Sequence, residues 1–167
     1  DLPQDLKDVL ELIPMEAHPM DVMRTATSYL GNIEPETKMH DQYAVTDRLL
    51  AIYPAALVYW WVYSRDSKRI NCTTDADGLA EHFLTLVHGK KPSDLHKKAM
   101  NVSLILYAEH EFNASTFTAR TVISTMSDVY SAVTGAIGAL RGPLHGGANE
   151  AAMELIHKYK TPADAVE

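Results

Sequence analysis

The chain has 167 residues, of which 46% are hydrophobic, and its formal net charge is −7 at neutral pH. This length and composition exclude a disordered tail and suit a globular unit with a substantial core. The negative charge argues against a general nucleic-acid or anionic-membrane partner. The single cysteine, Cys72, excludes an internal disulfide and predicts a reducing compartment, the cytoplasm.

Apolar residues recur at helical spacing along almost the whole chain, with no run of strands and no internal repeat. The first predicted helix begins after Pro3, the second runs from Pro19 to Gly31, and the third covers residues 47–64, starting at Asp47. The fourth covers residues 77–88 before Gly89, and the fifth extends from the cap Ser93 towards His110. Two further helices cover residues 115–126 and 128–140, and a last one begins near Asn149. The sequence therefore predicts an all-α protein whose residues 1–167 form a single helical unit. A last helix start at Thr161, with too few residues after it to complete a helix, predicts a piece of a longer protein.

The longest uncharged run, Leu49 to Tyr63, predicts a helix that is apolar on nearly every face. It is shorter than the ~20 residues that a membrane-spanning helix needs, and it contains Pro54. A helix of this kind is buried on every face. In a chain of this size we expect a partner subunit to cover part of it, Trp60 and Trp61 included, and the sequence therefore predicts a homodimer.

His145 stands in an unusual setting, between Gly142-Pro143 and the pair Gly146 and Gly147. The Gly-Pro pair breaks the preceding helix, and the glycine pair lets a ligand approach the backbone closely. The next helix points its positive end at the loop, which favours a neutral imidazole. Such a ring suits an oxygen that gains negative charge during a reaction, as in an enol or enolate. A capping histidine in an ordinary turn is an equally good interpretation of the spacing.

A second candidate site lies at the end of an apolar helix, where His110 is flanked by Glu109 and Glu111 and followed by Asn113. One of the two carboxylates is expected to orient the imidazole. No second histidine stands three or four residues away, so a metal site is not predicted. Taken alone, His110 is better explained as a structural histidine.

These segments resemble the citrate synthase family. The loop sequence GPLHGGANEAAMELI is similar to the family's signature, and LILYAEHEFNASTFTAR is similar to its other histidine segment. The similarity continues through AHPMDVMRTATSYLG and LLAIYPAALVYWWVYSR, and so covers nearly the whole chain. Within the family, the chain resembles the bacterial 2-methylcitrate synthases at Tyr107, at Phe112 and in the segment STFTAR.

The resemblance implies the multi-helical large domain of the citrate synthase fold, truncated before the small domain, in an enzyme that condenses an acyl-CoA with oxaloacetate and hydrolyses the thioester. It implies that His145 is catalytic and holds the thioester oxygen as an enol, and that His110 and Asn113 bind oxaloacetate. Gly146 and Gly147 would let the acyl-CoA approach the backbone. No cofactor is implied beyond these small-molecule substrates. The family's catalytic aspartate, its second catalytic histidine and its oxaloacetate-binding arginines have no match in this sequence.

Three functions remain open from the sequence. The first is 2-methylcitrate synthesis from propionyl-CoA, and the second is citrate synthesis from acetyl-CoA. Because one methyl group in an apolar pocket discriminates by only ~1–3 kcal/mol, the two activities overlap. The third is a non-catalytic helical dimerisation module that has kept the motifs.

Overall fold

The computed structural model describes residues 1–37, 41–109, 111–161 and 164. Over these residues the chain forms eight helices and no strand, so the all-α prediction is confirmed. The helices are α1 (Gln4–Glu11), α2 (Pro19–Ile33), α3 (Gln42–Asp66), α4 (Leu79–His88), α5 (Asp94–Tyr107), α6 (Ala114–Ile123), α7 (Val129–Leu140) and α8 (Ala148–Lys158). No helix within the described ranges is both long enough and apolar enough to cross a membrane.

The core lies where α1, α2 and α7 pack around the long helix α3. The two largest side chains in it are Tyr59 and Trp60, each 1% exposed. The phenolic hydroxyl of Tyr59 donates to Oε1 of Glu11 at 2.5 Å, and Nε1 of Trp60 donates to the carbonyl of Ile13 at 3.2 Å. Both polar tips are therefore satisfied where the bodies of the rings are buried.

The outcome for α3 differs from the sequence prediction in two ways. The helix begins at Gln42 and not at Asp47, because the buried side chain of Val45 holds an additional turn against the core. Trp60 is covered within its own chain, so it needs no partner subunit. Trp61 is 49% exposed, and the guanidinium carbon of Arg65 lies 3.3 Å from its ring centroid.

Gly31 does not end α2, which continues to Ile33. The glycine has a packing role instead: a Cβ built there would lie 2.9 Å from Cβ of Tyr130 on α7. Such a distance is too short for two carbon atoms, so the absence of a side chain lets α2 and α7 approach closely. Gly89 does end α4 in a left-handed conformation, with φ of 64°, as predicted.

The remaining boundaries follow the sequence closely. Ser93 caps α5 by accepting from the backbone N–H of His96 at 3.3 Å. The helix ends at Tyr107, short of His110, which lies outside the described residues. At the far end, Oγ1 of Thr161 accepts from the backbone N–H of Asp164 at 3.4 Å, which is the predicted capping contact.

Three helices expose their apolar side chains. Neither α5 nor α6 has a buried residue, and every described side chain of α8 is exposed. The large apolar side chains on these helices that are more than half exposed are Leu95, Ile105, Leu106, Tyr107, Phe117, Met153, Leu155 and Ile156. These surfaces are far more apolar than an ordinary solvated helix face.

Candidate active site

The loop that carries His145 is a compact series of turns between α7 and α8. Helix α7 ends at Leu140, just before the Gly142-Pro143 break that was predicted to stop it. The carbonyl of Gly142 accepts from the backbone N–H of His145 at 3.0 Å and from that of Gly146 at 2.9 Å. These bonds fold the loop back on itself and fix the backbone on either side of the imidazole.

The glycine pair is required by the loop's own backbone. A Cβ at Gly146 would lie 1.9 Å from the carbonyl oxygen of Leu140, and one at Gly147 would lie 2.7 Å from that of Pro143. No side chain fits at these distances, so both glycines are explained without a ligand. Close approach of an acyl-CoA to Gly146 and Gly147 stays a prediction.

The imidazole of His145 meets the start of α6, thirty residues earlier in the chain. Its Nε2 lies 2.9 Å from Oγ of Ser115 and 3.3 Å from the backbone nitrogen of the same residue. A backbone N–H only donates, so Nε2 accepts from it and carries no proton in this arrangement. The ring proton is then on Nδ1.

The contact with Ser115 leaves Nδ1 as the ring nitrogen that can donate a hydrogen bond. The neutral state was predicted from the positive end of the following helix, α8. The structure adds a donor from the first turn of α6, a residue that sequence spacing did not reveal. His145 is therefore arranged as a neutral donor through Nδ1.

Asn113 is the N-cap of α6. Its Oδ1 accepts from the backbone N–H of Thr116 at 2.8 Å and lies 2.7 Å from Oγ of Ser115, within reach of that hydroxyl. The carboxamide oxygen, which was predicted to contact a substrate, is thus engaged within the chain. Asn113, Ser115 and His145 form one hydrogen-bonded series.

The predicted contact His110 lies outside the described residues, but its neighbours form a tight turn. The carboxylate of Glu109 accepts from the backbone N–H of Glu111, whose φ of 52° places it in the left-handed region. A non-glycine residue in that region is strained, and such strain is concentrated at functional sites. Glu109 is used by the turn itself.

Helix α2 holds the His145 loop at both ends. Before the loop, Nε of Arg141 lies 3.2 Å from Oδ2 of Asp21, whose other oxygen binds Arg24 at 3.1 Å. After the loop, Nε2 of His18 lies 3.5 Å from the carboxylate of Glu150 on α8. Nδ1 of His18 accepts from the backbone N–H of Met20 at 3.1 Å, so the ring caps α2 while its other nitrogen faces α8.

No group of three or more histidine, cysteine, aspartate or glutamate side chains converges among the residues described here. Cys72 is buried, and this burial raises the pKa of its thiol. It lines a cavity of about 400 Å³ together with residues of α3 and of the segment before α4, among them Thr74 and His82. Because a raised pKa keeps the thiol protonated, Cys72 is not a reactive nucleophile.

The sequence model of the protein family described as the citrate synthase C-terminal domain matches residues 1–167, the whole of the chain. The chain belongs to the citrate synthase family. It is 64% identical over 164 residues to a 2-methylcitrate synthase of Shewanella oneidensis, covering 98% of this chain and 44% of that protein. It is also 40% identical over 164 residues to a citrate synthase of Heyndrickxia coagulans, covering 96% and 44%.

Solved citrate synthases have the same fold. The ternary complex of carboxymethyl coenzyme A and oxaloacetate with the citrate synthase of Thermoplasma acidophilum superposes with a TM-score of 0.82 at 30% identity, covering 98% of this chain and 43% of that one. The multi-helical architecture predicted from the resemblance is thereby confirmed. The chain spans less than half the length of these citrate synthase relatives.

Proposed function

We propose that this protein is a 2-methylcitrate synthase, which converts propionyl-CoA, oxaloacetate and water to 2-methylcitrate and CoA. The observation that carries the proposal is the contact between Ser115 and His145, which leaves a neutral imidazole with its proton on Nδ1. The 64% identity to a protein named 2-methylcitrate synthase supports this choice of substrate. The enzyme acts in the cytoplasm, as the reduced, buried Cys72 suggests.

In this proposal His145 donates through Nδ1 to the thioester oxygen while a base takes the α-proton. The resulting enol attacks the ketone carbon of oxaloacetate, and water then hydrolyses the thioester. A donor placed in advance stabilises the oxygen most when it gains charge, so the benefit falls mainly on the rate. His110 and the carboxamide nitrogen of Asn113 contact oxaloacetate, and the acyl-CoA passes beside Gly146 and Gly147.

The test is a steady-state assay of the complete natural protein with propionyl-CoA and acetyl-CoA in parallel. We expect a higher kcat/KM with propionyl-CoA. We expect His145→Ala to lower kcat by roughly 10²–10³ while the KM for oxaloacetate changes little. His110→Ala is expected to weaken oxaloacetate binding in calorimetric titration. Normal turnover by His145→Ala would remove this histidine from the mechanism.

Citrate synthesis from acetyl-CoA is the second candidate. It is favoured by the match to the Heyndrickxia coagulans citrate synthase over 96% of the chain. Because a single methyl group is worth only ~1–3 kcal/mol in an apolar pocket, an enzyme that prefers propionyl-CoA can still turn over acetyl-CoA. A kcat/KM that is higher with acetyl-CoA would decide for this candidate.

We also propose that residues 1–167 are one helical unit of a large domain and that the protein is a homodimer whose interface includes α3. The support is narrower than the sequence indicated, since Trp60 is buried within the chain and, of the large side chains in the run Leu49 to Tyr63, Leu50 and Trp61 are about half exposed. Sedimentation at micromolar concentration tests the interface. We expect a dimer that Trp61→Ser dissociates, whereas Leu12→Ser, at an 84% exposed site directly after α1, leaves it intact.

A further inference from the structure

Ser115 has one hydroxyl proton and two acceptors within reach. Its Oγ lies 2.7 Å from Oδ1 of Asn113 and 2.9 Å from Nε2 of His145. The carboxamide oxygen of Asn113 only accepts, whereas an imidazole nitrogen accepts when bare and donates when protonated. The position of this one proton therefore depends on the protonation of His145.

We propose that the hydroxyl of Ser115, held by Asn113, is a two-position hydrogen-bond switch for His145. When Nε2 is bare, the hydroxyl donates to it. When Nε2 carries a proton, it donates to Oγ and the hydroxyl turns to Oδ1 of Asn113. The O–H group only rotates between its two acceptors, so Ser115 neither gains nor loses a proton.

The contacts around Ser115 set the balance between the two arrangements. Its backbone N–H, 3.3 Å from Nε2, favours the bare nitrogen, so the ring proton rests on Nδ1. In that state two donors polarise the imidazole and strengthen Nδ1–H as a donor. The second arrangement gives the ring an acceptor at Nε2 whenever it holds an additional proton.

This assigns Asn113 a second role, through its carboxamide oxygen, beside the proposed substrate contact of its carboxamide nitrogen. Its Oδ1 faces Ser115 and Thr116, so its effect on His145 passes through the Ser115 hydroxyl. Asn113 and Ser115 are positioning residues. The catalytic consequence rests on the proposed function, whereas the hydrogen-bond switch does not require that function.

The switch is tested by the imidazole ¹⁵N spectrum of His145 in the complete natural protein without substrate. Asn113→Ala removes the competing acceptor, so we expect the Nε2 signal to move towards the value of a bare nitrogen that accepts a hydrogen bond. Asn113→Asp keeps the helix cap but attracts the hydroxyl proton more strongly, so we expect the opposite displacement. A residue that only caps α6 would give no displacement with aspartate.

The decisive comparison is made in Ser115→Ala protein, where neither substitution at Asn113 is expected to move the signal further. Ser115→Thr keeps the hydroxyl and is expected to behave as the natural protein. Asp128→Ala is the matched control, because Asp128 caps the adjacent helix α7 through Ser131 without touching His145. Displacement by Asn113→Asp that persists without the Ser115 hydroxyl would overturn the proposal.

Kinetics give an independent measurement. Ser115→Ala is expected to lower kcat roughly 10- to 100-fold with little change in the KM for oxaloacetate, because a misplaced or wrongly protonated donor costs rate. At saturating oxaloacetate, Asn113→Ala is expected to add no further loss of kcat in Ser115→Ala protein. If the losses of kcat in the two single variants multiply in the double variant, Asn113 does not act through Ser115. An inactive natural protein would refute the proposed function, while the spectra would still decide the switch.

Discussion

The backbone next to His145 leaves no room for a side chain at the following residue. Gly146 follows it directly, in contact with the carbonyl that ends α7, while Leu144 before it is fully exposed. The imidazole is therefore oriented by the backbone turn and by Ser115. Small displacements of this backbone change the distance between Nε2 and its two donors.

Gly146→Ala is expected to reduce activity roughly 10²-fold, because a methyl group 1.9 Å from the carbonyl oxygen of Leu140 forces the loop and His145 to move. The measurement is steady-state kinetics together with circular dichroism to confirm an unchanged helix content. Gly142→Ala is the control: its Cβ would lie 3.3 Å from the carbonyl oxygen of Ala139, which a small shift accommodates. Full activity of Gly146→Ala would show that the loop tolerates the displacement.

Glu11 is the carboxylate most affected by its neighbours. Both of its oxygens accept from Arg69 at 2.8 Å, and the Tyr59 hydroxyl adds a third bond. These bonds, led by that to Arg69, hold the pKa of Glu11 at about 2, below its usual 4.5. In the unfolded chain the carboxylate has its ordinary pKa, so the unfolded state binds more protons across this range.

The contribution of Glu11 to the free energy of unfolding is therefore complete above about pH 4.5 and is lost as the pH falls towards 2. We expect Glu11→Gln to be less stable than the natural chain at neutral pH and to lose less stability over that interval. Urea unfolding at a series of pH values measures this difference. Glu16→Gln, at an exposed carboxylate five residues beyond the end of α1, should leave the pH profile of the natural chain unchanged.

Among single residues, the sequence made His145 a candidate but did not reveal its hydrogen-bond partner, Ser115. A histidine between a Gly-Pro break and two glycines fitted a catalytic site and a capping histidine in an ordinary turn equally well, so its setting made it a candidate without deciding between the two. Ser115 gave no such signal, because serine at the start of a helix is common and the contact closes over thirty residues. The reason for Gly146 was also missed, since a clash with a carbonyl is visible only in three dimensions.

The helices could be predicted in order and type, but not all of their ends. Pro19, Ser93 and Gly89 act locally, through a fixed φ, a cap and a left-handed residue, so the sequence revealed them. Gly31 and Asp47 did not mark ends because tertiary packing outweighs local propensity there. Burial of Val45 lengthens α3, and contact with Tyr130 gives Gly31 its role inside α2.

Two glycines at helix–helix contacts give opposite predictions. Gly31→Ala is expected to destabilise the protein by about 1–3 kcal/mol, because the new methyl group would lie 2.9 Å from Cβ of Tyr130. Gly138→Ala is expected to stabilise it by about 0.5–1 kcal/mol, since its nearest neighbour is Cδ of Arg24 at 3.9 Å and alanine favours a helix. Equilibrium unfolding of both variants provides the comparison. A stabilising Gly31→Ala would mean that α2 and α7 separate without cost.

Helix α2 is more than a core element, because its first turn holds the loop on both sides of His145. Asp21 binds Arg141 before the loop, and His18 reaches Glu150 after it. The sequence HPMD indicated a capped helix start, which is correct. Its contact with a loop more than a hundred residues later follows from the packing of α2 against α7.

Over the whole molecule, the distribution of apolar surface is uneven. The core around α3 is well buried, whereas α5, α6 and α8 expose side chains as large as Phe117 and Ile156. Solvent-exposed apolar surface on this scale is uncommon in isolated soluble proteins. Periodicity correctly assigned these residues to helices, but it could not say what contacts their apolar faces.

The 167-residue chain on its own is expected not to turn over substrate. In the proposed function His145 and His110 supply a donor and a substrate contact, but no residue of the sequence matches the family's aspartate base or its oxaloacetate-binding arginines. The reaction needs all of these groups in one arrangement. The purified chain is mixed with oxaloacetate and propionyl-CoA, and release of free thiol is followed. Release above the buffer rate that disappears in His145→Ala would show this expectation to be wrong.

The closeness in sequence of Ser115 and His145 bears on the order in which the protein folds. The chain between them is almost entirely the pair α6 and α7, which pack along each other, with Gly135 against Thr118 and Val122. Contacts between neighbouring segments cost less loop entropy and form faster than distant ones. We therefore expect this helical hairpin to bring His145 to Ser115 early. We expect the contacts of His18 and Asp21 with the loop to form later, when α2 packs against α7. The imidazole of His145 is then oriented before the core around α3 is complete.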